Sequence, residues 1–158
     1  MSPQQEDPVA STKFVPTRAA SPVLGARTLG LTISNEFEAA ARINAGLPSS
    51  TIHALATHLD RPNKYVLVVT NIPESTFHDR QKTRKPLSPE ASSRVYHVAR
   101  AVEAANEYFA GDKDAAQRWL THPKVALGGE TPVEFARTPP GSDYVVKLLN
   151  RMAHGIIS

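Results

Sequence analysis

The chain has 158 residues and a formal net charge of +3, with 41% apolar and 21% charged side chains. That fits one ordinary globular domain, or two small ones sharing a core, and excludes a wholly disordered chain. The longest apolar run, Tyr65–Val69, is far short of the roughly 20 residues that cross a bilayer, and the absence of cysteine excludes disulfides and thiolate metal sites.

Residues 1–30 hold four prolines, two glycines and little apolar periodicity, which predicts a flexible arm. The first residues carry no basic start followed by an apolar stretch, so no secretory leader is expected and the cytoplasm is the expected compartment. Folding is expected to begin near Leu31. Ser34 can cap a helix with Glu36 and Glu38 in its first turn and Phe37, Ala40 and Ala41 facing inward, ended by Gly46. After Pro48-Ser49-Ser50, Ile52, Leu55, Ala56 and Leu59 recur at i, i+3, i+4 and i+7, the stripe of an amphipathic helix.

Asn63–Thr70 suits either a strand or a short helix, and the residues after it favour the helix. Asn71 tolerates a left-handed turn, Ile72 can plug the core, and Pro73-Glu74 opens a second helix with Phe77 as its apolar anchor. Short helix, polar turn, apolar plug and second helix are the layout of a helix-turn-helix. Ser75, His78, Asp79 and Lys82 share one polar face of the second helix, beside Thr76. Arg80, Lys82, Arg84 and Lys85 add cations suited to phosphates.

The charge distribution points the same way. Residues 60–100 carry eight basic against four acidic side chains, whereas residues 1–59 balance and residues 101–158 are slightly acidic. Clustered cations attract polyanions, which makes residues 75–85 the candidate DNA-binding site; a helical hairpin with a solvated basic face is the alternative. A single motif of this kind presents little surface, so a dimer or a larger complex across two half-sites is expected.

Lys85-Pro86 should end the second helix, and Ser88-Pro89-Glu90 should cap a long one. Val95, Val98, Ala99, Val102, Ala105 and Phe109 keep helical spacing along it as far as Gly111, about 20 residues that would serve as a shaft for both halves. Asp112 caps a shorter helix with Ala115, Ala116, Trp119 and Leu120 inward, stopped by His122-Pro123. Leu127-Gly128-Gly129 is a turn, and Thr131-Pro132-Val133-Glu134 is a capping box. Pro139-Pro140-Gly141 should break that short helix. A last one then carries Val145, Leu148, Leu149 and Met152 to Gly155, before an apolar Ile156-Ile157-Ser158 that could be a frayed end or could occupy a partner's cleft. The predicted fold is all-α: an arm at 1–30, a helix-turn-helix domain at 31–100 and a second helical domain at 101–158.

Enzyme signatures are missing. There is no Walker loop, dinucleotide fingerprint, Gly-x-Ser-x-Gly elbow or His-Glu-x-x-His, and the six histidines lack metal spacing, so no catalytic residue, metal or cofactor is expected.

Several stretches, LSPEASSRVYHVARAVEAANEYF, AQRWL, ALGGETPVEFART and LLNRMAHGIIS, together closely resemble the Xre/MbcA/ParS family of bacterial type II antitoxins. NIPESTFHDRQ resembles the family's Xre-type helix-turn-helix, with Asn71 where a glycine is usual. The resemblance implies an antitoxin that binds its promoter through the basic half and its toxin through the C-terminal half. The implied partner is a RES-domain toxin, which depletes NAD or uses it for ADP-ribosylation and whose NAD site the antitoxin's C-terminal segment blocks. It assigns that blocking role to Arg151, His154, Gly155, Ile156, Ile157 and Ser158, with Trp119, Gly128, Gly129, Thr131 and Pro132 as scaffold. Two departures stand out: the long arm, and Pro139-Pro140 where polar residues are more usual. The competing readings are a stand-alone helix-turn-helix regulator whose C-terminal domain only dimerises, and a plain protein-interaction module.

Overall fold

A computed structural model describes residues 23–155, and among them it contains eight α-helices and no strand. In chain order these are α1 (Glu36–Ala45), α2 (Ser50–Leu59), α3 (Asn63–Val69), α4 (Glu74–Thr83), α5 (Pro89–Tyr108), α6 (Lys113–Thr121), α7 (Pro132–Phe135) and α8 (Pro139–Ala153). A 3-10 turn at Val125–Leu127 links α6 to α7.

The 20-residue helix α5 is the axis of the molecule. Ser88 starts it, its side chain accepting from the Ala91 amide, and Pro89 occupies a first-turn position where no amide proton is needed. Val95, Val98, Ala99, Ala101, Val102 and Ala105 are completely buried along it. Helices α1 and α2 pack on one part of α5, and α6, α7 and α8 on others. The boundary expected between residues 100 and 101 falls inside this helix, so the two halves share it.

The seam between α5 and α8 is the most extensive helix contact. The Ser142 hydroxyl donates to the His97 carbonyl at 2.8 Å, and Arg100 donates to Asp143 at 2.8 Å. A Cβ on Gly141 would lie 1.8 Å from the Phe135 carbonyl oxygen, so only glycine permits this approach. Burial holds the His97 imidazole below its ordinary pKa, helped by the Arg100 charge and opposed by Asp143.

Four expectations need correction. The N-cap of α1 is Asn35, whose side chain accepts from the Glu38 amide at 2.8 Å, rather than Ser34; the Ser34 amide instead donates to the Glu38 carboxylate. Phe37, Ala40 and Ala41 face outward, Phe37 being 84% exposed, and Ala39 with half-buried Ile43 forms the inner edge. In a helix rich in alanine, hydrophobicity does not distinguish one face from another. Pro139 and Pro140 do not merely break a helix; they begin α8, where the first turn needs no amide donors and Thr138 caps the Gly141 amide. Asn63 is the first helical residue of α3 rather than its cap, which is Pro62.

The last residues of the expected arm depart from expectation as well. Residues 23–30 form a turn on α5, with Ala26, Thr28 and Leu29 buried. One carboxylate holds it: Glu103 Oε1 accepts from the Gly25 amide and from the Thr28 amide and hydroxyl at 3.0–3.3 Å, and Arg27 donates to Oε2 at 3.3 Å. Four donors make this buried charge tolerable. Residues 1–22 lie outside the described residues.

Candidate functional site: a helix-turn-helix and a C-terminal helix end

The DNA-facing candidate is built from α3, the turn at Asn71 and α4. Val66, Leu67, Val69 and Thr70 are buried and bind α3 to the core. Asn71 adopts the expected left-handed conformation with φ of 58°, and Ile72 is buried behind it, its amide donating to the Leu67 carbonyl at 2.8 Å. Helix α4 is held by Phe77 alone, which is 2% exposed. Anchoring by one side chain leaves the other faces of the helix available.

Ser75, Thr76, His78, Asp79, Lys82, Arg84 and Lys85 are all exposed, so none of these expected residues is taken up by the core. Arg84 ends α4 in a left-handed conformation, φ 57°, ahead of Lys85-Pro86. Arg80 differs from its neighbours: it is half-buried and its guanidinium donates to the Pro86 carbonyl, tying the end of α4 to the following loop. Lys64 and Val68, the latter 71% exposed, line a groove between α3 and the start of α4. Reading the second helix alone misses them; the spacing from Lys64 to Val68, one helical turn, is the signal that places both on one face.

Sequence counting also overstated the free cations. Arg94 donates to the carbonyls of Thr70 and Asn71, and Arg100 to Ser142 and Asp143, so both are engaged inside the fold.

In the C-terminal half, Asp112 caps α6 through the Ala115 amide, and Ala116 and Leu120 are buried. Trp119 is half-buried, with the Lys124 ammonium 5.3 Å from its ring centre, and partial burial lowers the Lys124 pKa. The loop that follows is closed by the Lys124 amide donating to the Glu130 carbonyl and the Gly129 amide donating to the Lys124 carbonyl, both at 3.0 Å. Gly128 and Gly129 supply the positive φ this needs, 68° and 92°. Thr131 and Glu134 complete the predicted capping box, with Pro132 in the first turn.

Helix α8 ends at His154, whose Nδ1 lies 2.8 Å from the Asn150 carbonyl oxygen. Gly155 turns left-handed with φ of 73°. Arg151 stacks over Tyr144 at 5.8 Å, and its Nε is shielded from solvent with no hydrogen-bond partner among the described residues. Arg151, His154 and Gly155 thus come together at one helix end, while Ile156, Ile157 and Ser158 lie outside the described residues. Among the described residues, no cluster of His, Asp and Glu could hold a metal ion, and no helix is long and apolar enough to cross a membrane.

Comparison with known proteins places both halves. Residues 38–100 match the antitoxin Xre-like helix-turn-helix domain, and residues 104–155 match the antitoxin Xre/MbcA/ParS C-terminal toxin-binding domain. An "Antitoxin Xre" of Yersinia enterocolitica is 29% identical over 84% of this chain and 89% of its own length. One from Photorhabdus laumondii is 28% identical over the same shares. A "Prs ADP-ribosylating antitoxin" of a Sphingobium species is 26% identical over 72% of this chain and 76% of its own. Fold and matches together define a helix-turn-helix antitoxin, a binding protein and not an enzyme. The chain belongs to the Xre/MbcA/ParS antitoxin family.

Proposed function

We propose that this antitoxin neutralises a RES-type, NAD-consuming toxin by filling its active site with the C-terminal segment, and represses its own promoter through α4. The reading places it in the cytoplasm as a homodimer or a larger toxin–antitoxin assembly, because one helix-turn-helix offers too little surface for tight specific binding. The observation that carries it is the end of α8. In the half matched to toxin-binding domains, Arg151, His154 and Gly155 gather where the buried seam has given out, just before Ile156-Ile157-Ser158 in the sequence. An apolar plug in a cleft excludes a dinucleotide by volume alone and needs no chemistry from the antitoxin. The Sphingobium relative's name, which joins an antitoxin with ADP-ribosylation, supports a toxin that draws on NAD.

Deleting Gly155–Ser158 tests the mechanism. The deletion is expected to abolish protection in a co-expression toxicity assay while leaving the melting temperature within a few degrees of the full chain, since the buried seam stops at Leu149. Equal protection by both chains would rule the tail out.

A further inference from the structure

The end of α3 gathers arginines from two other parts of the fold. Arg94, on α5, donates from Nε to the Thr70 carbonyl at 2.6 Å and from Nη2 to the Asn71 carbonyl at 3.4 Å. Arg137, in the loop between α7 and α8, reaches the Val69 carbonyl at 3.5 Å. Three consecutive carbonyls, 69 to 71, therefore meet two guanidinium groups. The last carbonyls of a helix have no donor within the helix, and a cation there also favours the negative end of its dipole.

This helix end is also the turn of the helix-turn-helix. Beyond Asn71 come only the plug Ile72 and Pro73, and then α4 begins. Phe77 alone fastens α4 to the core, so the pose of α4 depends on how firmly the preceding turn is fixed. Arg94 leaves α5 between two buried segments, Ala91-Ser92 and Val95-Tyr96, and so carries the turn's position from the rigid axis of the molecule.

We propose that Arg94, assisted by Arg137 from the toxin-binding half, is a positioning residue for DNA binding. It holds the Asn71 turn against α5 and so sets the pose of α4, without touching DNA itself. This rests on the DNA-binding reading above. A residue that binds phosphate and one that positions a helix have different salt signatures. Losing a phosphate contact flattens the dependence of log affinity on log salt by about 0.9. Losing a positioning residue lowers affinity and leaves that slope alone.

The experiment titrates the full-length chain against its promoter fragment by fluorescence anisotropy over a salt series. It compares the wild type with Arg94→Ala, Arg94→Lys, Arg137→Ala and, as a direct-contact control, Lys82→Ala. Arg94→Ala is expected to lower affinity about tenfold, the loss of charge-assisted hydrogen bonds, with an unchanged slope and unchanged copurification with the toxin. Arg94→Lys should recover part of the loss through a single donor, and Arg137→Ala should cost about threefold. If Arg94→Ala does not fold, Arg94→Lys decides alone: weakened binding at wild-type slope and normal toxin copurification supports the proposal. A slope flattened as in Lys82→Ala, an unchanged affinity, or a parallel loss of toxin binding would overturn it. A wild-type chain that does not bind the fragment would instead refute the DNA-binding reading, and this proposal with it.

Discussion

The two helices that carry the candidate sites, α4 and α8, are fastened in opposite ways. Helix α4 buries one side chain, Phe77, half-buries Arg80 and presents its other residues to solvent. Helix α8 buries Gly141, Ser142, Val145 and Leu149, makes its most extensive contact with α5 and leaves only its last turn without a buried side chain. On the proposed function, a helix that lies along a groove keeps its faces free, whereas one that acts through its tip can commit its body to the core. Stability and recognition are therefore separable along the surface of α4 and inseparable along most of α8.

Several substitutions would break or sharpen that contrast. The largest effect is expected for Phe77→Ala: loss of the sole anchor should cost about 3–4 kcal/mol in urea denaturation and abolish promoter binding. Retention of promoter binding would show that α4 has other support. Gly141→Ala comes next. Its methyl group collides with the Phe135 carbonyl, and an overpacked contact of this kind between the end of α7 and the start of α8 costs about 2–3 kcal/mol, with protection against the toxin lost in step. Lys82→Ala should leave denaturation unchanged within about 0.5 kcal/mol and flatten the salt dependence of promoter binding, dividing recognition from stability on α4. Arg80→Ala, in contrast, also releases the Pro86 carbonyl and should lower stability as well as affinity.

The smallest effect concerns pH. His97 is held below its ordinary value of 6.5, so the folded chain favours the neutral ring. As pH falls through 6.5 the unfolded chain takes up a proton that the folded chain does not, and stability declines until the lower folded pKa is passed. The melting temperature should therefore drop between about pH 7.5 and about pH 5.5, and His97→Gln should shrink the drop. It would not vanish, because His58 is displaced in the same direction by burial and by Lys113. An undiminished drop in His97→Gln would take this ring out of the acid response.

What was legible in the sequence was local. The apolar stripe of α2, the caps at Ser88 and Asp112, the capping box at Thr131 and the left-handed Asn71 each depend on residues within a turn or two, and each stands where expected. What escaped depended on distant partners. The turn at 23–30 is ordered by a carboxylate 78 residues away from Gly25, which no composition argument over residues 1–30 can register. Arg94 reads as one more cation in a basic stretch until the carbonyls it meets, 23 and 24 residues earlier, are in view. The exposed polar side of α4 was readable because its residues need no partner within the chain.

Helix α5 runs unbroken through the junction of the two halves, and this has a consequence for anyone recombining them. An α-helix turns 100° and rises about 1.5 Å per residue. One residue inserted or deleted between the two matched regions, at residues 101–103, would swing the downstream half by more than a quarter turn about the common axis. Chimeras that pair the helix-turn-helix half of one relative with the toxin-binding half of another must therefore be spliced with the helical register of α5 conserved. Viable junctions will be those that preserve phase, however little the flanking residues have in common.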